Sequence, residues 1–303
     1  MNSNTVIVTG NGFDLDLGWR TSYKDFYDAH NGWRMHKTEQ DDLFQYMIKC
    51  TASNWFDFEK TLFDYAIHRA KIGLDIDLVI RDLQDYKSFK DQLFHFIKER
   101  SKEPVRKESF AYRLTEAYIK QRKRYQHNGR MFMNWFSFNY TPLDNVARQI
   151  DPNYDFSYIP VHGTIAQNNI IFGIHDDERI LPEYRDLQKS MDDNYESHGI
   201  VRAMLDSNLI IFFGLSMGFI DSIYFQELFK GLSDIGNSQS FQGKSIFFIT
   251  KDTLSKKDIK NKLLDMKLQP QILFNMSNVE FIFTSDVEDK ANTTKFEMLL
   301  SRL

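Results

Sequence analysis

The chain is poor in several things, and each shortage excludes a class. A single cysteine, Cys50, among 303 residues leaves no internal disulfide to form and fits a reducing compartment. Six prolines, with no low-complexity tract and no internal repeat, leave no flexible linker between domains. No stretch approaches the roughly 18 apolar residues of a membrane span. The opening Met1-Asn2-Ser3-Asn4 is polar and the apolar run after it is too short for a signal peptide. Basic charge is also lacking: 38 Lys and Arg stand against 42 Asp and Glu, a net −4, which argues against a nucleic-acid partner. The expectation is a soluble, cytoplasmic protein with no membrane partner.

What is abundant is rings and short apolar runs. Hydrophobic residues make up 42% of the chain, and 27 Phe and 14 Tyr imply a core built largely from aromatics. Runs rich in β-formers recur at residues 5–9, 131–138, 158–161, 169–174, 209–213, 245–250 and 279–283. Several are apolar almost throughout, which suits strands buried on both faces of a mostly parallel sheet. Turns or amphipathic stretches follow them, the alternation of an α/β fold. Between residues 41 and 127 no strand run is visible, and apolar residues such as Leu62, Phe63, Leu93 and Phe96 repeat at helical spacing. The expected architecture is a single Rossmann-like α/β domain over residues 1–303. A large helical insertion, approximately residues 35–128, follows the first βα unit.

The first run, Val6-Ile7-Val8, feeds into Gly10-Asn11-Gly12-Phe13-Asp14. A buried strand ending in a glycine turn that opens a helix is a phosphate-holding geometry. Leu15 stands where the dinucleotide fingerprint has its third glycine, and no strand-end acid follows about 20 residues on, so a dehydrogenase is a poor fit. Valine at Gly12 is expected to fill the phosphate space and spare the fold. Three more sets follow apolar runs at positions where such a sheet gathers its ligand. They are Phe138-Asn139-Tyr140-Thr141, Val161-His162-Gly163, and Phe213-Gly214-Leu215-Ser216 with Asp221 beyond. Singly, each reads as a turn former, a structural histidine or a serine cap; together they suggest a site.

The order of these motifs, with Thr21–Phe26, Phe172-Gly173-Ile174 and the segment Asn54-Trp55-Phe56-Asp57-Phe58-Glu59, resembles the AbiH family of bacteriophage abortive-infection proteins. That family in turn is similar to sirtuin-like domains of bacterial defence. The resemblance implies a Rossmann-like sheet and NAD consumed as a substrate, with Asn139 and His162 as the catalytic pair. It also implies Gly10, Asn11, Gly12, Phe13, Asp14, Tyr140, Thr141, Gly214, Ser216 and Asp221 around the nucleotide. Asp14 stands where many such domains have a small hydroxyl residue, and Pro142 and Asp144 depart from the family pattern.

Cleavage of the nicotinamide–ribose bond expels a neutral ring from a cation, so no acid is needed. A positioned water or hydroxyl and a base of moderate pKa suffice, and His162 supplies the base. Asn139 would position the ribose or water, with Phe13 and Tyr140 packed against the nicotinamide. One cysteine cannot make the four-cysteine zinc module usual in sirtuin deacetylases, which favours hydrolysis. No metal is expected. A homo-oligomer is expected, with a phage-derived trigger or a partner defence protein as a further partner. Two other readings remain: a nucleotide-binding sensor or scaffold without chemistry, and a HEPN-like ribonuclease built on Arg122 and His127. His175-Asp176-Asp177-Glu178 reads as a solvated acidic loop, because its carboxylates share no face and match no ligand spacing.

Overall fold

The apolar runs assemble into one six-stranded, all-parallel sheet in the order β3-β2-β1-β4-β5-β6. The strands are β1 Thr5–Thr9, β2 Met133–Ser137, β3 Ile159–Pro160, β4 Leu209–Phe213, β5 Ser245–Thr250 and β6 Asn278–Phe283. The structure, a computed structural model, describes residues 4–29, 42–43, 45–47, 58–126, 133–196, 198–218, 220–233, 244–276 and 278–303. This is the strand order of the doubly wound nucleotide-binding fold. It follows from strands apolar on both faces, which only helices on both sides can bury.

Side chains alternate strictly between the two faces. Ile7, Trp135, Ile211 and Phe247 lie on one, where Tyr118 meets Trp135 edge-on at 5.1 Å. Val8, Phe136, Phe212 and Phe248 lie on the other, and Phe212, Phe248 and Phe281 stack at 5.2 and 5.0 Å across β4, β5 and β6. The first face is covered by α5 (Phe110–Gln126), α6 (Asp144–Ile150) and α11 (Lys290–Arg302). The second is covered by α7 (Ile200–Leu205), α8 (Ile223–Ser233), α9 (Thr253–Asp265) and α10 (Pro270–Met276).

Helices α1 (Asn11–Leu17) and α2 (Tyr23–Ala29) follow β1. The helical insertion then divides its allegiance. Its last helix, α5, packs directly on the sheet, and the Asp16 carboxylate accepts the Ala111 N–H at its start, 2.8 Å away. The two before it, α3 (Phe58–Ile72) and α4 (Ile76–Arg100), build a separate aromatic core with residues 165–187. Phe58 and Phe89 stack there at 4.4 Å, with Phe89 5.2 Å from Phe172. In the same layer Asp82, fully buried, accepts from the Tyr65 hydroxyl at 2.7 Å, the Tyr184 hydroxyl at 2.5 Å and the Leu43 N–H at 2.9 Å.

One expected strand is absent. Residues 170–174 of this run are buried because Ile170, Phe172 and Ile174 pack into this second core, and only Ile174 pairs, with Gln188, in an isolated bridge. Burial on a helical layer produced the same apolar run that a strand would. Residues 54–57, Cys50 and His127 lie outside the described residues.

Candidate functional site

Register decides which loops meet. Thr9 is level with Ser137 on one side and Phe213 on the other, and Ser137 is level with Pro160. The turns after β1, β2, β3 and β4 therefore emerge side by side at the carboxyl edge of the sheet, where α/β folds bind ligands. This edge brings together Gly10–Asp14, Asn139–Thr141, His162, Gly214 and Asp221.

The turn after β1 is fastened internally. Gly12 N–H donates to the Gly214 carbonyl at 2.8 Å, Phe13 N–H to Gly10 at 2.9 Å, and Gly10 N–H to Phe213 at 2.9 Å. A Cβ at Gly12 would lie 2.5 Å from the Gly214 Cα. The glycine is required by the turn of β4, so valine here strikes the fold itself, contrary to the sequence expectation. The Phe13 ring is wholly buried in the core, edge-on to Trp135 at 5.8 Å and Phe213 at 5.2 Å.

Asp14 explains the rest of the turn. Its carboxylate is 1% exposed and accepts from the Asn139 amide at 2.8 Å, the Thr141 hydroxyl at 2.7 Å and the Thr21 hydroxyl at 3.4 Å. Asn139 also donates to the Gly10 carbonyl at 3.0 Å, and Thr21 donates to Asn11 at 2.7 Å. Burial pushes the Asp14 carboxyl up to about 7, against the pull of these hydrogen bonds. Asn139 and Thr141 thus clamp the β1 and β2 turns together, and Asn139 keeps its Oδ1 as its remaining polar atom.

A second cluster surrounds His162. The chain is pinned there by Val161 N–H on Ser137 O and Ile171 N–H on His162 O, both 2.8 Å. It then turns through Gly163 at φ +69°, where a side chain would strike Asn169. The imidazole, on a residue 3% exposed, is walled edge-on by Phe138 at 5.2 Å and Tyr224 at 6.2 Å. Its Nε2 lies 3.0 Å from Asp221 Oδ1 and 3.2 Å from Lys189 Nζ. Lys189 Nζ also donates to Glu59 Oε2 at 3.0 Å and Asp221 Oδ1 at 3.3 Å.

Nε2 thus lies between an acceptor at 3.0 Å and a donor at 3.2 Å, and the shorter contact, to a carboxylate that Lys189 also reaches, decides its protonation. A proton on Nε2 satisfies Asp221, whereas a bare Nε2 would set two acceptors 3.0 Å apart. His162 therefore carries its proton on Nε2, and Nδ1 is a buried acceptor without a hydrogen-bond partner. Burial, and then the nearby Lys189 charge, hold the histidine below its ordinary pKa, so it rests neutral. Burial alone would raise Asp221, but Lys189 and His162 outweigh it and hold the carboxyl well below the usual range. Lys189 stays an ammonium: burial opposes its charge, while Asp221 and Glu59 more than restore it. It is no free amine nucleophile.

Of the other expected residues, Tyr140 is buried in the helical-layer core with its hydroxyl 3.3 Å from the Ile171 carbonyl. Burial raises its phenol well above the ordinary value. Ser216 is exposed and lies before α8 rather than capping it. In the acidic stretch, Asp177 is held by Arg179 at 2.6 and 2.8 Å. Among the described residues no group of three or more His, Cys, Asp or Glu is placed to hold a metal ion. Lys189 was not legible: Gln188-Lys189-Ser190 reads as polar loop, and what draws it inward is the pairing of Ile174 with Leu187 and Lys189, each at 2.8 Å, together with the Glu59 and Asp221 carboxylates. Glu59 stood in a motif without a role.

A family model described as bacteriophage abortive infection AbiH matches residues 6–239. The chain belongs to the AbiH family. The match takes in both clusters, from the Gly10 turn through Asp221. AbiH membership places the protein in bacteriophage abortive infection. No curated protein matches the chain. Among solved structures, a mutant Sir2 homologue in complex with 2′-O-acetyl ADP ribose is 10% identical, with 88% of this chain and 94% of that one covered and a TM-score of 0.31. The Rossmann-like fold of this AbiH chain rests on its own parallel sheet. No described helix is long and apolar enough to cross a membrane.

Proposed function

We propose that this AbiH protein cleaves NAD into nicotinamide and ADP-ribose, with His162 as the general base. The observation that carries the reading is the buried Asp221–His162 pair, whose Nδ1 is an acceptor without a partner at the carboxyl edge of a parallel sheet in the doubly wound order. A buried acceptor left unmade costs free energy unless something fills it. A water poised for attack on the ribose would fill it.

The chemistry balances without an acid. Water adds to the anomeric carbon as the bond to the pyridinium nitrogen breaks, and nicotinamide leaves with the bonding pair as a neutral ring. His162 Nδ1 takes the proton from water, Asp221 stabilises the imidazolium, and the proton passes to solvent. Asn139 offers its Oδ1 to the ribose, since its amide group already donates to Gly10 and Asp14. The weight of the reading lies on the His162 edge rather than on the glycine turn, whose donors are largely engaged.

Purified protein incubated with NAD, and extracts of expressing cells during phage infection, are to be chromatographed for free nicotinamide. Release is expected, falling at least 100-fold in His162→Asn. NAD left intact in infected, protected cells would overturn the proposal, as would full turnover by the variant.

A further inference from the structure

Four ionisable side chains from four distant segments meet at His162: Glu59 at the start of α3, His162 after β3, Lys189 from the loop beyond, and Asp221 before α8. A base needs only one partner to fix its tautomer, so Lys189 and Glu59 ask for a separate account. Lys189 reaches both carboxylates and is itself almost wholly buried. Its position makes Asp221 Oδ1 a shared acceptor, taking one hydrogen bond from the ammonium and one from His162 Nε2. An ammonium there restricts the rotation of the Asp221 carboxylate and directs that oxygen at the imidazole.

We infer that Lys189 is a positioning residue for His162, holding Asp221 in place so that Nδ1 is presented as the base, and that Glu59 is the anchor that keeps Lys189 there. The inference rests on the reading of His162 as the base. Glu59 and Asp221 carry −2 and Lys189 +1, so the cluster is −1 with a neutral histidine and zero when His162 gains a proton. Burial, and then Lys189, keep the resting base neutral, and Asp221 favours the proton once it arrives. Besides these groups, His162 senses His198, whose Nε2 lies 3.2 Å from the Val161 carbonyl, and Tyr224 lines its ring.

The test is a pH titration of the full-length protein carrying ¹⁵N-labelled histidine, in which ring nitrogen shifts report tautomer and midpoint without any substrate. The parent is expected to hold the Nε2–H tautomer with a midpoint below the ordinary histidine value. Lys189→Met removes the cation and keeps both carboxylates, so the His162 midpoint should rise by about one unit or more. The acid limb of kcat/KM for NAD should move with it. Should that variant fail to fold, the double change Lys189→Met with Glu59→Gln leaves Asp221 as the one carboxylate facing the ring, and the midpoint should again rise. An unmoved midpoint and an unchanged tautomer in the folded variant would overturn the assignment of Lys189. A risen midpoint without nicotinamide release from either protein would overturn the NAD reading while sustaining the role of Lys189. Nicotinamide release with an unmoved midpoint would do the reverse.

Discussion

Replacing Asp14 by asparagine isolates the electrostatics of the β1 turn. The variant keeps the shape of the side chain: its carbonyl can accept from Asn139, and its amide can donate to the Thr141 and Thr21 hydroxyls, which reorient freely. What changes is the charge. Burial raises the Asp14 carboxyl from 3.8 to about 7. A carboxyl whose folded pKa lies above its unfolded one binds its proton more tightly in the fold. Its contribution to stability is therefore complete below about pH 4 and is lost as pH rises to about 7. From pH 5 to pH 8 the parent loses about two units of this linkage, or about 3 kcal/mol at 1.36 kcal/mol per unit. His162 pulls the other way, since its depressed pKa adds stability as pH rises toward 6.5, but it is common to both proteins and cancels in the difference. Urea unfolding of both at pH 5 and pH 8 measures that difference. It should swing by about 3 kcal/mol toward the amide variant at the higher pH. A difference constant to within about 1 kcal/mol would refute the buried, protonatable carboxyl.

Other expectations follow from the same geometry. Gly12→Val should destabilise the fold by about 3 kcal/mol or more, because its side chain meets the Gly214 backbone, and the shift should appear in Tm without any ligand. Asp221→Asn should lower the kcat of nicotinamide release by about 10²–10⁴-fold while leaving the folded state detectable by circular dichroism. Asp82→Ala removes one acceptor from three buried donors and should cost about 3 kcal/mol or more in chemical denaturation. Phe13→Ala, emptying a core site between Trp135 and Phe213, should cost about 3–5 kcal/mol by the same assay.

The sheet was the most legible part because its strands carry their own signature. Ile210-Ile211-Phe212-Phe213 is apolar on both faces, and residues 209–213 and 245–250 fall at the bounds of β4 and β5. The run at 169–174 obeyed the same rule and is not a strand, since apolarity reports burial and not the partner that buries it. The common edge of Gly10, Asn139, His162 and Gly214 was legible, as strand ends in a parallel sheet face one way. Their neighbours were not. Asp14 resisted interpretation because its partners, Thr21, Asn139 and Thr141, are contributed by two other turns. Lys189 was invisible because nothing near it marks a lysine for burial; the carboxylates that draw it in lie 130 and 32 positions away.

The contact between the β1 and β4 turns has a bearing on how such chains can diverge. Gly12 donates to the Gly214 carbonyl, and each glycine occupies the space a neighbour's side chain would need. The two positions, 202 residues apart in the sequence, form one backbone joint. A Cβ gained at either one has to be matched by a displacement of the other turn. Across related sequences these two positions are therefore expected to covary as a pair, drifting together or not at all.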